Sequence, residues 1–169
     1  MGRSKSRFDK RDHFTVMKRV LMNTQAWKSL SSTAQALYPW IKLEWKGPKA
    51  NNNGKVSLSV RHAAERLGVS KDTAARAFQD LQAKGFLVVT EAASLGVRGH
   101  GKCFKYEITE IALPQNRQGR CLYESWSQGN DFEVVKAVAA NPSGKRVKSL
   151  HSIPDSPIID FRTIRSSLS

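Results

Sequence analysis

Between Ser59 and Gly85 the chain carries helix-start and helix-stop residues at a spacing that narrows the choice of fold more than any other stretch. Ser59 is placed to cap a helix over Val60–Leu67, with Val60, Ala63, Ala64 and Leu67 as its inward stripe. Gly68 suits a left-handed turn, Val69 plugs the corner, and Ser70 caps the next helix. That helix is expected from Lys71 to about Lys84, with Ala74, Ala77, Phe78 and Leu81 facing in and Gly85 as its terminating glycine. Ala64 lies where the two helices come closest, and a larger side chain there would push them apart. Two short helices joined by a three-residue turn, with alanine at the crossing, make a helix-turn-helix.

Strand patterns flank this unit. Lys55–Leu58 reads as a short strand before it, and Phe86–Thr90 as a β-branched, apolar run after it. From Cys103 to Thr109 the pattern alternates, with Phe104, Tyr106 and Ile108 against Lys105, Glu107 and Thr109. The hairpin tip between, Leu95–Lys102, holds three glycines together with Arg98, His100 and Lys102, a composition suited to a phosphate backbone or a minor groove. Glycine-rich tips are also common as merely solvated turns.

Residues Ala63–Phe78 resemble the bacterial helix-turn-helix pattern at nearly every structural position, and Leu81–Val88 resembles its winged subclass. In such a motif the second helix enters the major groove with its N-terminal residues nearest the base edges. Lys71, Asp72, Thr73, Arg76 and Gln79 are then expected on the exposed side of the reading helix. Arg76, with a planar fork that pairs bidentately with guanine, is the first candidate for base readout. Ser70, Lys71 and Thr73 are better placed for phosphate, and Ala75 for a thymine methyl. Arg61 on the first helix is a candidate backbone clamp, and equally an ordinary solvated arginine.

The resemblance reaches further. Ala26–Tyr38 and Asn52–Ser59 look like small winged helix-turn-helix proteins of phages, plasmids and integrated elements, covering about residues 14–112. That group is similar to the DNA-binding domains of replication initiators and of GntR-type regulators. Upstream, Phe14, Met17, Val20 and Leu21 share a helical face beginning near His13, interrupted at Asn23–Thr24. A longer helix is expected from Ser31 or Ser32, with a Ser32/Gln35 capping box and Ala34, Leu37, Tyr38, Ile41 and Trp45 inward. Pro39 should kink or split it and departs from the group's pattern. At helical spacing, Trp27, Tyr38, Trp40 and Trp45 read as core rather than as base-stacking groups. Gly47-Pro48 ends this region and Asn51–Gly54 makes a turn.

Charge agrees with the motif. The chain holds 28 Lys and Arg against 14 Asp and Glu, a net +14, which points to a polyanion. A ribosome-associated protein or one that binds acidic membranes would show the same balance. No run of about 18 apolar residues is present to span a membrane. Cys103 and Cys121 fit a reduced compartment and the role of small, buried or half-buried apolar residues. His100 and Cys103 form a lone HxxC pair, the acidic residues fall mostly on expected helix surfaces, and no glycine-rich phosphate loop occurs, so no enzyme site, cofactor or metal is expected.

The expected fold is therefore α+β, mainly α: a winged helix-turn-helix with N-terminal helices and a largely disordered C-terminal tail. Residues 1–12 read as a flexible basic arm and 13–112 as the domain, with helix-turn-helix 59–85 and wing 86–109. Residues 113–140 form a short appendage, with Leu122–Trp126 and a helix at Phe132–Ala140 available to dock on the domain or on another subunit; 141–169 read as tail. The expected function is sequence-specific binding of double-stranded DNA as a cytoplasmic, nucleoid-associated transcription regulator of a mobile element, with a homodimer on a two-fold operator. A plasmid or phage replication initiator and a protein-interaction winged helix are the alternatives. About 55 residues follow Pro114, too few for the ligand domain of GntR-type regulators, so no small-molecule effector is expected.

Overall fold

The computed structural model describes residues 14–93 and 102–136. The basic arm, the wing tip with Arg98 and His100, and the tail from 137 lie outside them. Among the described residues five α-helices and a two-stranded antiparallel sheet build a winged helix: α1 Arg19–Met22, α2 Gln25–Lys28, α3 Ser32–Leu43, α4 Val60–Leu67, α5 Lys71–Ala83, β1 Leu87–Glu91 and β2 Lys105–Ile108.

The helix expected from His13 is instead an extended stretch followed by two single turns, α1 and α2. No side chain caps α1 at Lys18, and the Lys42 ammonium takes the Val16 carbonyl at 2.6 Å, drawing that backbone away from a helical ladder. Leu21 is buried and Met17 half-buried, but Phe14 and Val20 are exposed. Thr24 makes the break: its hydroxyl donates to Leu21 O at 2.7 Å and accepts from Trp27 N at 3.2 Å, capping α2.

The expected capping box at α3 is replaced by a contact between helices. Ser31, not Ser32, is the cap, its hydroxyl accepting from Ala34 N at 3.3 Å. Its own N–H donates to Asp80 Oδ2 on α5 at 2.8 Å, while Gln35 Nε2 turns away to donate to Trp27 O at 2.9 Å. Nor does Pro39 split the helix, which runs unbroken from Ser32 to Leu43. A proline removes one backbone donor, and burial of Leu37, Tyr38 and Ile41 on either side of it outweighs that loss.

The helix-turn-helix forms as its residues dictate. Ser59 caps α4 and Ser70 caps α5, accepting from His62 N at 3.2 Å and Thr73 N at 3.1 Å. Gly68 takes φ 65° and Gly85 φ 76°, values that a side chain would strain. Ala63, Ala64, Ala74 and Ala77 are buried where the helices cross; Val60 and Leu67, expected inside, are only half-buried. The expected strand at 55–58 reduces to a single bridge, in which Tyr106 N donates to Val56 O at 2.8 Å.

In the sheet Leu87 faces Ile108 and Val89 faces Tyr106, with a register slip between Val89 and Glu91. The alternation expected in β2 fails in one respect: Glu107 and Thr109 are buried along with Tyr106 and Ile108. The segment after β2 covers their side. Arg120 forks onto Glu107 at 2.8 and 2.6 Å, and Cys121 N donates to Thr109 O at 2.9 Å. A Cβ on Gly119 would stand 2.6 Å from the Glu110 and Thr109 backbone, so only glycine lets the two segments approach this closely. Tyr123 then stacks on Phe86, rings 4.9 Å apart. Residues 132–136 of the expected Phe132–Ala140 helix are not helical, and 137–140 lie outside the described residues; amides of this segment go to the end of α5 instead, Phe132 N to Ala83 O at 2.8 Å and Val135 N to Gln82 Oε1 at 3.0 Å. Leu122–Trp126 thus docks on its own domain.

Two polar hubs hold these parts. Asn53, expected only as a turn residue, is buried and mimics a strand, accepting from Ile108 N at 2.8 Å and donating to Ile108 O at 3.0 Å. Glu110, just after β2, is buried and accepts from Lys42 at 2.6 Å and from the Tyr38 hydroxyl at 3.1 Å. Burial first, and the Glu110 charge second, push the Tyr38 phenol well above its ordinary pKa, so it remains a donor. Cys103, expected at least half-buried, is exposed; Cys121 is half-buried.

Lys42→Met should cost about 3–5 kcal/mol in urea unfolding, because it strands the Glu110 carboxylate in the core. Adding Glu110→Leu should restore about half of that loss or more. Equal instability of single and double variants would show that the pair is not what fails.

Candidate nucleic-acid interface

Helix α5 has one face in the core and the opposite face in solvent. Ala74, Ala77, Phe78 and Leu81 are buried, so at 3.6 residues per turn Asp72, Arg76 and Gln79 fall on the outward stripe, flanked by Thr73 and Ala75. Asp72, Arg76 and Lys71 are exposed, whereas Thr73, Ala75 and Gln79 are half-buried. Among the described residues neither Lys71 nor Arg76 is ion-paired, so both heads are available to an anion.

The start of α5 is arranged differently from what the residues alone implied. Ser70 Oγ and Thr73 Oγ1 lie 2.8 Å apart and share one hydroxyl hydrogen, while Ser70 Oγ also receives Thr73 N. One hydroxyl hydrogen remains to donate outward, beside first-turn amides that the helix leaves without internal partners. Asp72 in that turn complements the helix dipole, and as a pure acceptor it suits an exocyclic base amine rather than a phosphate.

Arg61 stands on α4, exposed, with its guanidinium only 3.9 Å from Glu65, a loose surface pair. A groove between α4 and the foot of the wing is lined by Ser57, Ser59, Arg61, His62, Arg66 and Cys103. His62 and Arg66 were not picked out from the sequence; the readable signal was their place on the solvent side of an α4 whose alanines face in. Arg66 is itself held, donating to Glu44 at 2.7 Å with its guanidinium 5.2 Å from the Trp40 ring centre. At the foot of the wing Glu91 accepts from Lys105 and lies 3.6 Å from Lys102, whose side chain is otherwise exposed. Hydrogen bonding from Lys105 holds the Glu91 carboxyl below its ordinary pKa. The structure thus gathers Ser70, Lys71, Asp72, Thr73, Ala75, Arg76 and Gln79 on one helix, with Arg61 and Lys102 on the neighbouring elements. Arg98 and His100 lie outside the described residues.

The far end of α5 is anchored by Asp80, which accepts from Lys84 at 2.5 Å and from Ser31 N at 2.8 Å. Burial alone would raise this carboxyl, but the hydrogen bonds from Lys84 and Ser31 outweigh it and lower its pKa from the ordinary 3.8.

Residues 50–94 match the model of the MarR family. The match runs from the turn before Val56 through α4 and α5 to β1, about a quarter of the chain, and supports a winged-helix DNA-binding protein. No significant match was found among curated proteins or among solved structures. Among the described residues no helix is long and apolar enough to cross a membrane, and no three His, Cys, Asp or Glu side chains are grouped to hold a metal ion.

Asp80→Asn should destabilise the domain by about 1 kcal/mol at neutral pH. Because the native pKa is depressed, this contribution is full above the unfolded value and lost as pH falls through the folded one. The gap between wild type and Asp80→Asn in thermal unfolding should therefore close below about pH 4. A gap that stays constant through that range would mean the charge on Asp80 contributes nothing.

Proposed function

We propose that the protein is a sequence-specific double-stranded DNA-binding transcription regulator that lays the N-terminal half of α5 in the major groove. The observation that carries this reading is the outward stripe of α5, where Arg76 stands exposed, without an ion pair among the described residues, beside groups able to accept, donate or make apolar contact. Arg76 reads guanine through its two parallel donors, Asp72 and Gln79 contact neighbouring base edges, and Ala75 touches a thymine methyl. Lys71, the Ser70/Thr73 hydroxyl pair and the first-turn amides hold one phosphate strand. Arg61 on α4 and Lys102, with Arg98 and His100 of the wing tip, hold the backbone on either side. The MarR-family match over residues 50–94 supports this role for the same elements. The net charge of +14 supports a polyanionic partner.

Two copies on a two-fold operator follow from the regulator reading, since one α5 spans only a few base pairs. The resemblance of Ala26–Tyr38 and Asn52–Ser59 to proteins of phages and plasmids supports a mobile element as the setting.

Selection from a random duplex library with the full chain should enrich a short motif with inverted symmetry. Arg76→Ala should weaken binding to that motif by about 1–3 kcal/mol and relax preference at one base position. Removing residues 1–11 should weaken all sequences alike and flatten the salt slope, because the cations of that arm release counterions without reading bases. Enrichment of no motif, or unaltered preference in Arg76→Ala, would defeat the assignment of α5 as the reading helix.

A further inference from the structure

On the side where the N-terminal stretch crosses the end of α3, the domain has an open apolar cavity of about 600 Å³. Phe14, Val16, Trp45, Pro48 and Ile111 supply its apolar walls. Phe14 and Val16 are left 72 % and 62 % exposed on this wall, an apolar surface with room for an occupant. The polar groups of the cavity are lopsided. Lys18, Lys42 and Lys46 line it with one acid, Glu110, which both Lys18 and Lys42 approach, at 3.4 and 2.6 Å. The cavity therefore calls for an occupant that is apolar and carries negative charge.

The chain supplies such a segment. Ile153-Pro154-Asp155-Ser156-Pro157-Ile158-Ile159-Asp160-Phe161 combines four large apolar side chains with two aspartates and no cation, within a chain of net charge +14. Its two prolines favour an extended backbone, which lowers the entropy lost on lying in a groove. The basic arm at the other end, with Arg3, Lys5, Arg7, Lys10 and Arg11, has the wrong charge for three lysines.

We propose that Ile153–Phe161 docks in this cavity of its own chain, with Ile158 and Phe161 as anchors against Trp45 and Phe14 and the aspartates facing Lys18 and Lys46. The connection permits it. Residues 137–152 can span up to about 50 Å, against a domain radius of gyration of about 13 Å. Tethering at that length supplies an effective concentration in the millimolar range, so a weak contact suffices. The proposal is independent of the DNA-reading role of α5.

Hydrogen exchange on the full chain tests it. In wild type, the amides of 158–161 should exchange at least about tenfold more slowly than in the free peptide of the same sequence. Ile158→Ser/Phe161→Ala, which leaves the domain sequence untouched, should remove that protection and speed exchange at 14–18. Trp45→Ala should release the tail in the same way while residues of α5 remain protected. Exchange of 158–161 at the free-peptide rate in wild type would overturn the proposal. So would protection that survives Trp45→Ala in a folded domain, which places the segment elsewhere, or protection lost on tenfold dilution, which makes the occupant a second copy's tail.

Discussion

Phe86 is the residue on which the arrangement turns. It follows Gly85, where α5 has stopped, and precedes β1, where the wing begins, so its position sets the angle between them. Its ring meets Trp27 and Tyr38 edge-on, with centroids 5.8 and 5.3 Å away, and stacks on Tyr123 at 4.9 Å. One fully buried side chain thereby joins α2, α3 and the returning C-terminal segment to the hinge between helix and wing. Edge-to-face and offset contacts of this kind prefer particular geometries, beyond simple burial, and so specify an angle as well as a distance. Gly85 permits it: a Cβ there would stand 2.7 Å from the Phe132 ring, on the side where the returning segment closes.

Around that apolar centre the buried charges act as positional locks. Among the described residues Glu107 is reached by Arg120 from the returning segment, and Glu110 by Lys42 and Tyr38 of α3 with Lys18 at the rim. An unpaired carboxylate in either place would cost several kcal/mol, so alternative packings of these segments are heavily disfavoured even where the pairs add little net stability. Pairing acids internally with cations leaves the overall excess of positive charge unchanged. The exposed heads of Lys71, Arg61, Arg76 and Lys102 are part of that excess.

The helix-turn-helix was readable because its determinants are local: caps within three residues, glycines that need positive φ, and alanines at helical spacing. Positions whose state depends on a distant partner were not. Gln35 looks like half of a Ser32/Gln35 capping box until Trp27 O claims its amide, and the true cap, Ser31, has its N–H taken by Asp80, 49 residues away. Glu107 and Thr109 read as the solvent face of a strand because nothing in β2 announces that Gly119–Cys121 will cover them. Phe14 and Val20 follow a helical period, but periodicity does not supply a cap, and Lys42 competes for the backbone. The outward groups of α5 were legible from the inward ones. The mutual bond of Ser70 and Thr73 and the groove with His62 and Arg66 needed coordinates, since both depend on side-chain direction.

The two ends of α5 are treated in opposite ways, and this asymmetry fits a reading helix. At the C-terminal end, Asp80 is bound by Lys84 and by Ser31 of another helix. Ala83 O accepts from Phe132, Gln82 Oε1 accepts from Val135, and Lys84 lies 5.5 Å from the Trp126 ring centre. At the N-terminal end the hydrogen bonds come from its own cap and turn, Ser70 with Thr73 and Ala74. A helix clamped at one end is oriented as a rigid body, so its other end is positioned without needing contacts of its own. Groups held in this way lose little entropy on meeting a ligand, which keeps more of the contact energy as affinity. The residues proposed to meet a base edge stand at the end of α5 that, among the described residues, makes hydrogen bonds only within its own cap and first turn.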